Sequence, residues 1–436
     1  MTISETAALS TLGPRIRLPR PFRVNPGKSF AEGTVRVSIT SRELAEEFVR
    51  VAGAAAEAFP IAMRIFAFDL RAGDNVVVRV GENGPPLVVS RGGEIIVNFD
   101  VEATHAFEFP DSKRPIYTHI PGFNIQRIPT AIRRPLSNLV QSLASSRRKN
   151  GGAGQYRRLP LTDFEFVTLL LACVLENEGA GRRRVFQWPR GKSAAFVSLH
   201  DIDTRGFLRR GERDPLYRVE QKHGIRATWF VPTAIVGDRK EALDFLLQTG
   251  NELGWHGYNH DHRLPYPPFA EQRVAMLRDS CFAQPASFPL GMRTPRLLKS
   301  NHLFDLLDRS CPVLRYDTSF LRGIVPYYLW VNGRRSRILE IPTTVPTDIS
   351  VYNSLHEVPR AERPKAILDV QIARTKHLLE LGGLISIVTH PEKDLTERPE
   401  LLDVYDQYLA FIRSCPNVWF ATAGEVFTYW TGGEKR

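Results

Sequence analysis

His256 and His260 stand four residues apart. In a helical turn that spacing brings both imidazoles to one face, where they can share a metal ion. Two histidines, one carboxylate and an open position form the donor set of a catalytic zinc. Carboxylates are at hand in His200-Asp201-Ile202-Asp203. Residues i and i+2 of a strand point to the same side, and two carboxylates there repel unless a cation holds one. The division this implies is one metal ligand and one general base acting on the activated water. His390 ends the apolar run 384–389. It could be a satisfied core histidine, or it could protonate a leaving amine, which amide hydrolysis needs because an amine anion leaves very poorly. Arg293 could position Asp201, bind a substrate oxygen or pair with an acid for structure alone.

The elements that would carry these residues follow one pattern. From about residue 185, strand-like runs at 194–199, 227–232, 252–256, 288–292, 313–316, 338–343, 384–389 and 418–421 alternate with helix-length pieces such as 240–250, 269–282 and 363–381. Alternation of this kind indicates parallel β/α construction. Without a Gly-x-Gly-x-x-Gly loop it favours a distorted (β/α)7-8 barrel over a dinucleotide-binding sheet. Active sites of such barrels lie at the C-terminal ends of the strands. There the sequence places Asp201 and Asp203, His256 and His260, Arg293-Thr294-Pro295, Asp317, Asp348 and His390. One such residue could be chance; a set in register at one end of the barrel is much harder to dismiss.

The first part of the chain has a different texture. Residues 1–34 read as an extended, Pro-rich lead-in. Thr40-Ser41-Arg42-Glu43 fits a capping box, and Leu44, Phe48, Val51 and Ala55 form an apolar stripe at helical spacing. Short strands are expected at 75–80, 86–90 and 94–100. Asp100, Glu102 and His105 lie close in sequence but read as surface polar groups. Residues 142–158 are polar, basic and Gly-rich, as linkers are. A second capping box, Thr162-Asp163-Phe164-Glu165, opens an apolar helix ending near Gly179, with Cys173 in its core-facing part. The expected organisation is a small α+β domain over 1–141, a linker and bridging helix over 142–184, and the barrel over 185–436.

Composition narrows the setting. The chain has 436 residues, 43% of them hydrophobic and 24% charged, and a net charge of +11 from 58 Lys and Arg against 47 Asp and Glu. That excess suits phosphate- or carboxylate-bearing partners in general. The runs Arg147-Arg148-Lys149, Arg157-Arg158 and Arg182-Arg183-Arg184 read as solvated loops, and with no nucleic-acid-binding motif beside them no nucleic-acid partner is expected. Cys173, Cys281, Cys311 and Cys415 are scattered, which argues against a disulfide framework or a cysteine zinc site. The N-terminus lacks a basic-then-apolar leader, and the longest apolar run, 167–175, is too short to cross a bilayer. A cytoplasmic protein with no transmembrane segment is expected. Length and composition leave its oligomeric state open.

In this order the motifs resemble those of the polysaccharide deacetylase superfamily, the NodB-type deacetylases. The resemblance covers about 185–429. HDID is similar to the D-x-D form of that family's first motif, His256 and His260 to its H-[ST]-x-x-H, Arg293-Thr294-Pro295 to its R-x-P, and His390 to its final histidine. Gly257 departs from the usual Ser or Thr, and Arg296 from the aromatic or small residue common at that place.

The resemblance implies a divalent metal, expected to be zinc, on Asp203, His256 and His260. It implies Asp201 as general base with Arg293 orienting or tuning it, and His390 as general acid. Either Asp317 or Asp348 would orient His390. The implied activity is removal of an N-acyl group, expected to be acetyl, from an amino sugar or glycan precursor. The substrate could be nucleotide- or lipid-linked. Two alternatives stand beside this reading: hydrolysis of an amide or formamide that is not polymeric, and a catalytically silent sugar-binding scaffold. Trp255, Tyr258 and Tyr266 are aromatic candidates for stacking on a sugar.

Overall fold

A computed structural model gives the fold and describes residues 22–24, 29–52, 54–100, 163–178, 186, 188–236, 240–260, 262–279, 290–348, 355, 358–392 and 398–432. The expected linker at 142–158, the second capping threonine Thr162, Glu102 and His105 lie outside these residues. So do the expected boundaries at 141/142 and 184/185.

The first sheet has six strands. They are β1 (Phe22–Val24), β2 (Ser29–Ile39), β3 (Pro60–Phe66), β4 (Asn75–Val80), β5 (Pro86–Arg91) and β6 (Glu94–Val97), in the order β1-β6-β5-β4-β2-β3. The extended lead-in expected to run to residue 34 is therefore partly sheet. β2 pairs antiparallel with both β3 and β4. The alternation that drives this is present in Val35, Val37 and Ile39, but Gly33 interrupts it. Helix Arg42–Ala52 buries Leu44, Phe48 and Val51, as the stripe requires. Its cap differs by one residue from expectation: the Leu44 amide faces Ser41 Oγ at 3.4 Å, while Thr40 Oγ1 donates to the Val77 carbonyl at 3.0 Å. Ala55 falls beyond the helix end.

Helix Asp163–Glu178 is apolar on every side, so it must be covered on every side. Phe166 meets Phe48 edge-on, with ring centroids 5.2 Å apart, and Phe59 at 5.6 Å. At the same level the buried Glu165 accepts hydrogen bonds from the Gly323 amide and the Arg374 guanidinium, both at 2.9 Å.

The second sheet has nine strands: β7 (Ala194–Asp201), β8 (Ala227–Val231), β9 (Glu252–Trp255), β10 (Leu290–Met292), β11 (Leu314–Asp317), β12 (Tyr327–Val331), β13 (Arg334–Glu340), β14 (Leu384–Thr389) and β15 (Val418–Phe420). The order is β12-β13-β11-β10-β9-β8-β7-β14, with β15 pairing the start of β7. Pairing is parallel except in the β12–β13 hairpin, whose first strand the sequence did not announce. The sheet curls into a distorted, incompletely closed β/α barrel. Between β13 and β14 no strand pairing closes it. Instead the amides of Thr344 and Val345 donate to the Ser386 carbonyl at 3.2 and 3.0 Å. Every residue of β7 is buried, as expected for a parallel strand covered on both faces.

The N-terminal mouth of the barrel is plugged by helix Ala423–Trp430, whose Gly424 amide donates to Glu252 at 2.8 Å. Burial lifts the Glu252 carboxyl to about 7, against the hydrogen bonds it accepts from Tyr316, Gly424 and Thr228. Among the described residues no helix is long and apolar enough to cross a membrane.

Candidate active site

The opposite, C-terminal mouth gathers the chemistry. β7 ends in Asp201, and Asp203 follows two residues later. β9 ends in Trp255 and runs straight into His256. The segment from His256 to His260 is not the helical turn expected from the spacing. It is a tight loop that reverses at Gly257, whose φ is +71°. The loop still converges the two imidazoles: His256 Nε2 and His260 Nε2 each lie 3.3 Å from Asp203 Oδ1.

Gly257 also explains its own identity. A Cβ there would stand 3.0 Å from Pro295 Cγ and 3.1 Å from Cδ. The proline of Arg293-Thr294-Pro295 is thus packed directly on the loop that carries the two histidines. A Ser or Thr at 257 would need both a left-handed backbone and a displaced proline.

These donors fit a metal ion. Ligands about 2.0–2.1 Å from a tetrahedral zinc stand roughly 3.3 Å from one another, which is the separation of each imidazole nitrogen from Asp203 Oδ1. Among the described residues, Asp203, His256 and His260 are the histidine, cysteine and acidic side chains that come close enough to hold one ion. Asp203 Oδ1 is buried with no hydrogen-bond partner, an expense that a cation would remove. His256 Nδ1 sits 2.9 Å from the Arg293 carbonyl. A carbonyl can only accept, so Nδ1 carries a proton, and once the ring is neutral its remaining lone pair, on Nε2, points toward Asp203. His260 Nδ1 lies 3.3 Å from Nε2 of His262, a buried histidine with φ +62° that the sequence reading did not single out.

Beside this cluster lies a second carboxylate with different partners. Arg293 Nε donates to Asp201 Oδ2 at 2.9 Å, and its Nη1 bonds the Thr318 carbonyl and Thr343 Oγ1. Arg293 is 1% exposed, and Asp201 Oδ1 is left buried without a hydrogen-bond partner. On the far side His390 Nε2 approaches Asp201 Oδ2 at 3.6 Å, and His390 Nδ1 approaches Asp348 Oδ1 at 3.2 Å. Asp348, rather than Asp317, therefore contacts His390. Asp317 is used elsewhere: it accepts from the amide and hydroxyl of Ser319 at 2.8 and 2.9 Å, and Ser319 Oγ in turn accepts from the Thr294 amide at 2.8 Å.

Electrostatics separate the roles. Burial opposes ionisation of Asp201, but the Arg293 charge and the neighbouring histidines outweigh it and hold the carboxyl below its usual range. Asp203 is likewise pulled down, by His260 and His256 against burial. His260 is depressed to about 4 by burial, whereas His256 is raised because the two carboxylates overcome the same penalty. Burial would depress His390 as well, but Asp348, Asp201 and Asp203 together hold it at about 9. Only Asp203 and His390 keep noticeable side-chain exposure in this group, 17% and 11%, so the space between them opens to solvent.

Of the aromatic candidates, Trp255 and Tyr266 are buried and only Tyr258 is partly exposed. Glu392 is another group the sequence reading passed over. It accepts from the Thr204 amide and hydroxyl at 3.0 and 2.8 Å, tying the loop after Asp203 to the loop after His390. A carboxylate two residues beyond a candidate catalytic histidine was the available signal.

Against known proteins, residues 211–279 match the family model described as polysaccharide deacetylase. That segment includes His256 and His260 and excludes the other residues of the site. A peptidoglycan deacetylase of Helicobacter pylori is 26% identical over 125 residues, 28% of this chain, and the match spans only 42% of that relative's length. Among solved structures, a putative polysaccharide deacetylase from Mycobacterium smegmatis aligns at 18% identity and TM-score 0.41, covering 56% of this chain and 92% of that one. A probable polysaccharide deacetylase from Pseudomonas aeruginosa aligns at 14% identity and TM-score 0.45, covering 58% and 96%.

Proposed function

We propose that this chain, which carries a polysaccharide deacetylase superfamily domain, is a metal-dependent hydrolase that removes an N-acyl group, an acetyl in the first instance, from an amino sugar or glycan precursor. One observation carries the reading. A three-donor cluster, in which two imidazole nitrogens each stand 3.3 Å from Asp203 Oδ1, lies beside an arginine-held carboxylate and an aspartate-held histidine.

Asp203, His256 and His260 would hold the cation, with zinc the expected ion. When bound, it would polarise the acyl carbonyl and acidify the attacking water. Asp201 receives the proton that water gives up. Its ionised state is secured by Arg293, and its Oδ1 is available to accept. As the carbon–nitrogen bond breaks, His390 supplies a proton to the departing nitrogen from Nε2, while Asp348 holds Nδ1. With a pKa near 9, His390 carries that proton at neutral pH. The 3.6 Å between His390 Nε2 and Asp201 Oδ2 puts acceptance and donation on two sides of one small volume.

The basic surplus of +11 supports including phosphate-bearing, nucleotide- or lipid-linked sugars among the substrates. The division into 1–141, 142–184 and 185–436 is the organisation we propose for the chain.

The test pairs elemental analysis with acetate release. Wild-type protein should bind close to one divalent ion per chain, and His256→Ala should lose it. The loaded wild type should release acetate from a panel of N-acetylated oligosaccharides and nucleotide- and lipid-linked N-acetyl sugars. Wild-type protein that takes up no metal from excess zinc would overturn the mechanism and favour a silent binding scaffold. Turnover confined to neutral polymers would remove the linked-sugar substrates.

A further inference from the structure

We infer that His200 is a positioning residue that sets the distance between Asp201 and His390, through a buried hydrogen-bonded brace across the two strands that carry them. The inference rests on the roles proposed above for those two residues. β7 and β14 are parallel neighbours, and in their register Thr389 lies opposite His200. Asp201 and His390 each come one residue later. Successive strand residues point to opposite faces, so His200 and Thr389 turn away from the side on which Asp201 and His390 meet.

On that hidden side a buried chain of hydrogen bonds links the two strands. Glu220 takes part in it through Oε1, and its Oε2 is buried without a partner. His200 Nδ1 lies 2.8 Å from Thr389 Oγ1, and Nε2 lies 2.8 Å from Glu220 Oε1 on helix Pro215–His223. Tyr405 donates to the same Glu220 oxygen at 2.9 Å and bonds Ser198 Oγ at 2.7 Å. The imidazole lies against Trp229, with ring centroids 3.9 Å apart. His200, Glu220 and Ser198 are 0% exposed. A carboxylate oxygen accepts, so Nε2 carries a proton; in the neutral ring Nδ1 then accepts from the Thr389 hydroxyl, which fixes both bonds in direction.

Burying an acid and an imidazole carries a desolvation cost that apolar side chains of the same volume would avoid. The cluster is therefore poorly explained by packing and well explained by what it aligns. A second tie, Thr204 to Glu392, joins the same two chain segments beyond the strand ends. The proposed base and acid are thus held from both directions, and a misplacement of about 1 Å between such groups can cost about a hundredfold in rate.

The decisive variants are Thr389→Val, which keeps shape and removes the hydroxyl, and His200→Gln, which retains a polar group toward Glu220 and loses the bond to Thr389. In the zinc-loaded full chain each should lower kcat about ten- to a hundredfold, with KM and metal content unchanged and the pH profile altered. Each should also move the His390 imidazole resonances, assigned with His390→Asn. Thr389→Ser should restore both readouts, which separates lost alignment from lost folding. Variants with lower thermal stability but wild-type kcat, pH profile and His390 resonances would overturn the inference and leave a purely structural cluster. Should the wild type release no acyl group from any substrate, the hydrolase reading fails. The His390 resonances would then decide the brace by themselves.

Discussion

Asp348→Asn tests the proposed acid directly. Asparagine keeps the shape of aspartate and an oxygen that can accept from His390 Nδ1, so the change removes charge and little else. The contact is 3.2 Å and only 11% of the histidine side chain is exposed. At an effective dielectric of about 20, a unit charge at this range is worth at most about 5 kcal/mol. At about 1.4 kcal/mol per pKa unit that is at most about 4 units, and a span of about 1–3 units is the reasonable expectation. A bound cation offsets the Asp203 charge but leaves that of Asp348. The direction follows from the role: an acid must be protonated, so activity is lost as pH rises through its pKa. The wild-type alkaline limb of kcat/KM lies at about pH 9 before the cation offsets the Asp203 charge, and in Asp348→Asn it should move down from the wild-type position by those roughly 1–3 units. Near pH 6 the two enzymes should be closest, and at about pH 9 they should differ about fivefold for a shift of one unit and about fiftyfold for a shift of two. The assay is acetate release by the zinc-loaded protein across pH. Asp317→Asn is the comparison: it should lower stability through the Ser319–Thr294 contacts and leave the limb where it is. An unmoved limb in Asp348→Asn would refute the assignment of His390 as the acid held by Asp348.

Other expectations follow from the same geometry. Gly257→Ala forces a β-carbon onto Pro295 at φ +71°, costing about 1–3 kcal/mol; calorimetry should show weaker zinc binding and a lower melting temperature, with Pro295→Ala recovering part of the loss in the double variant. Arg293→Met removes the charge that keeps Asp201 ionised, so the acidic limb of the pH profile should move to higher pH and kcat should fall at least a hundredfold; an unchanged acidic limb would argue against Asp201 as the base. Because His256 is raised in the metal-free site, loading should release protons and metal affinity should fall as pH drops. Titration calorimetry in buffers of different ionisation enthalpy measures that release. In metal-free protein His390 has its pKa raised above the unfolded value of about 6.5, so it stabilises the fold fully below pH 6.5 and loses that contribution as pH rises through about 9. Denaturant unfolding should show this slope, and His390→Asn should reduce it.

Period and punctuation made the second sheet legible. β7, β8, β9 and β14 are short apolar runs bounded by breakers, and the structure moves their ends by only a residue or two. Two elements were hidden. β12 is Tyr-Tyr-Leu-Trp-Val, joined to β13 by a turn through Asn332 and Gly333, both at positive φ. That turn signal was present, but an antiparallel hairpin lies outside the strand–helix alternation being followed. In β2 the Val-Arg-Val-Ser-Ile alternation was masked by the glycine before it and by the proline-rich residues upstream. Local pattern does not report the barrel's incomplete closure either. It depends on how 341–345, where β13 has ended and an isolated bridge from Thr343 to Leu321 remains, meets Ser386.

For the site, position in the barrel carried more information than local geometry. His256 and His260 converge, but by a glycine-centred loop; four-residue spacing was a correct sign of proximity for an incorrect reason. The choice between Asp317 and Asp348 could not be made from sequence, because both follow barrel strands and only the fold shows which one reaches His390. His200 illustrates the complementary case. It was quoted in HDID and given no role, because sequence shows that it precedes Asp201 but not that it faces the other way. The alternation that sends Asp201 to the open mouth sends His200 to the buried face, where Glu220 arrives from a helix 20 residues on and Tyr405 from one far along the chain. Residues pointing into the mouth announce themselves by chemical type. The residues that hold them declare themselves only through contacts between distant segments, and in this protein those contacts join the strand of Asp201 to the strand of His390.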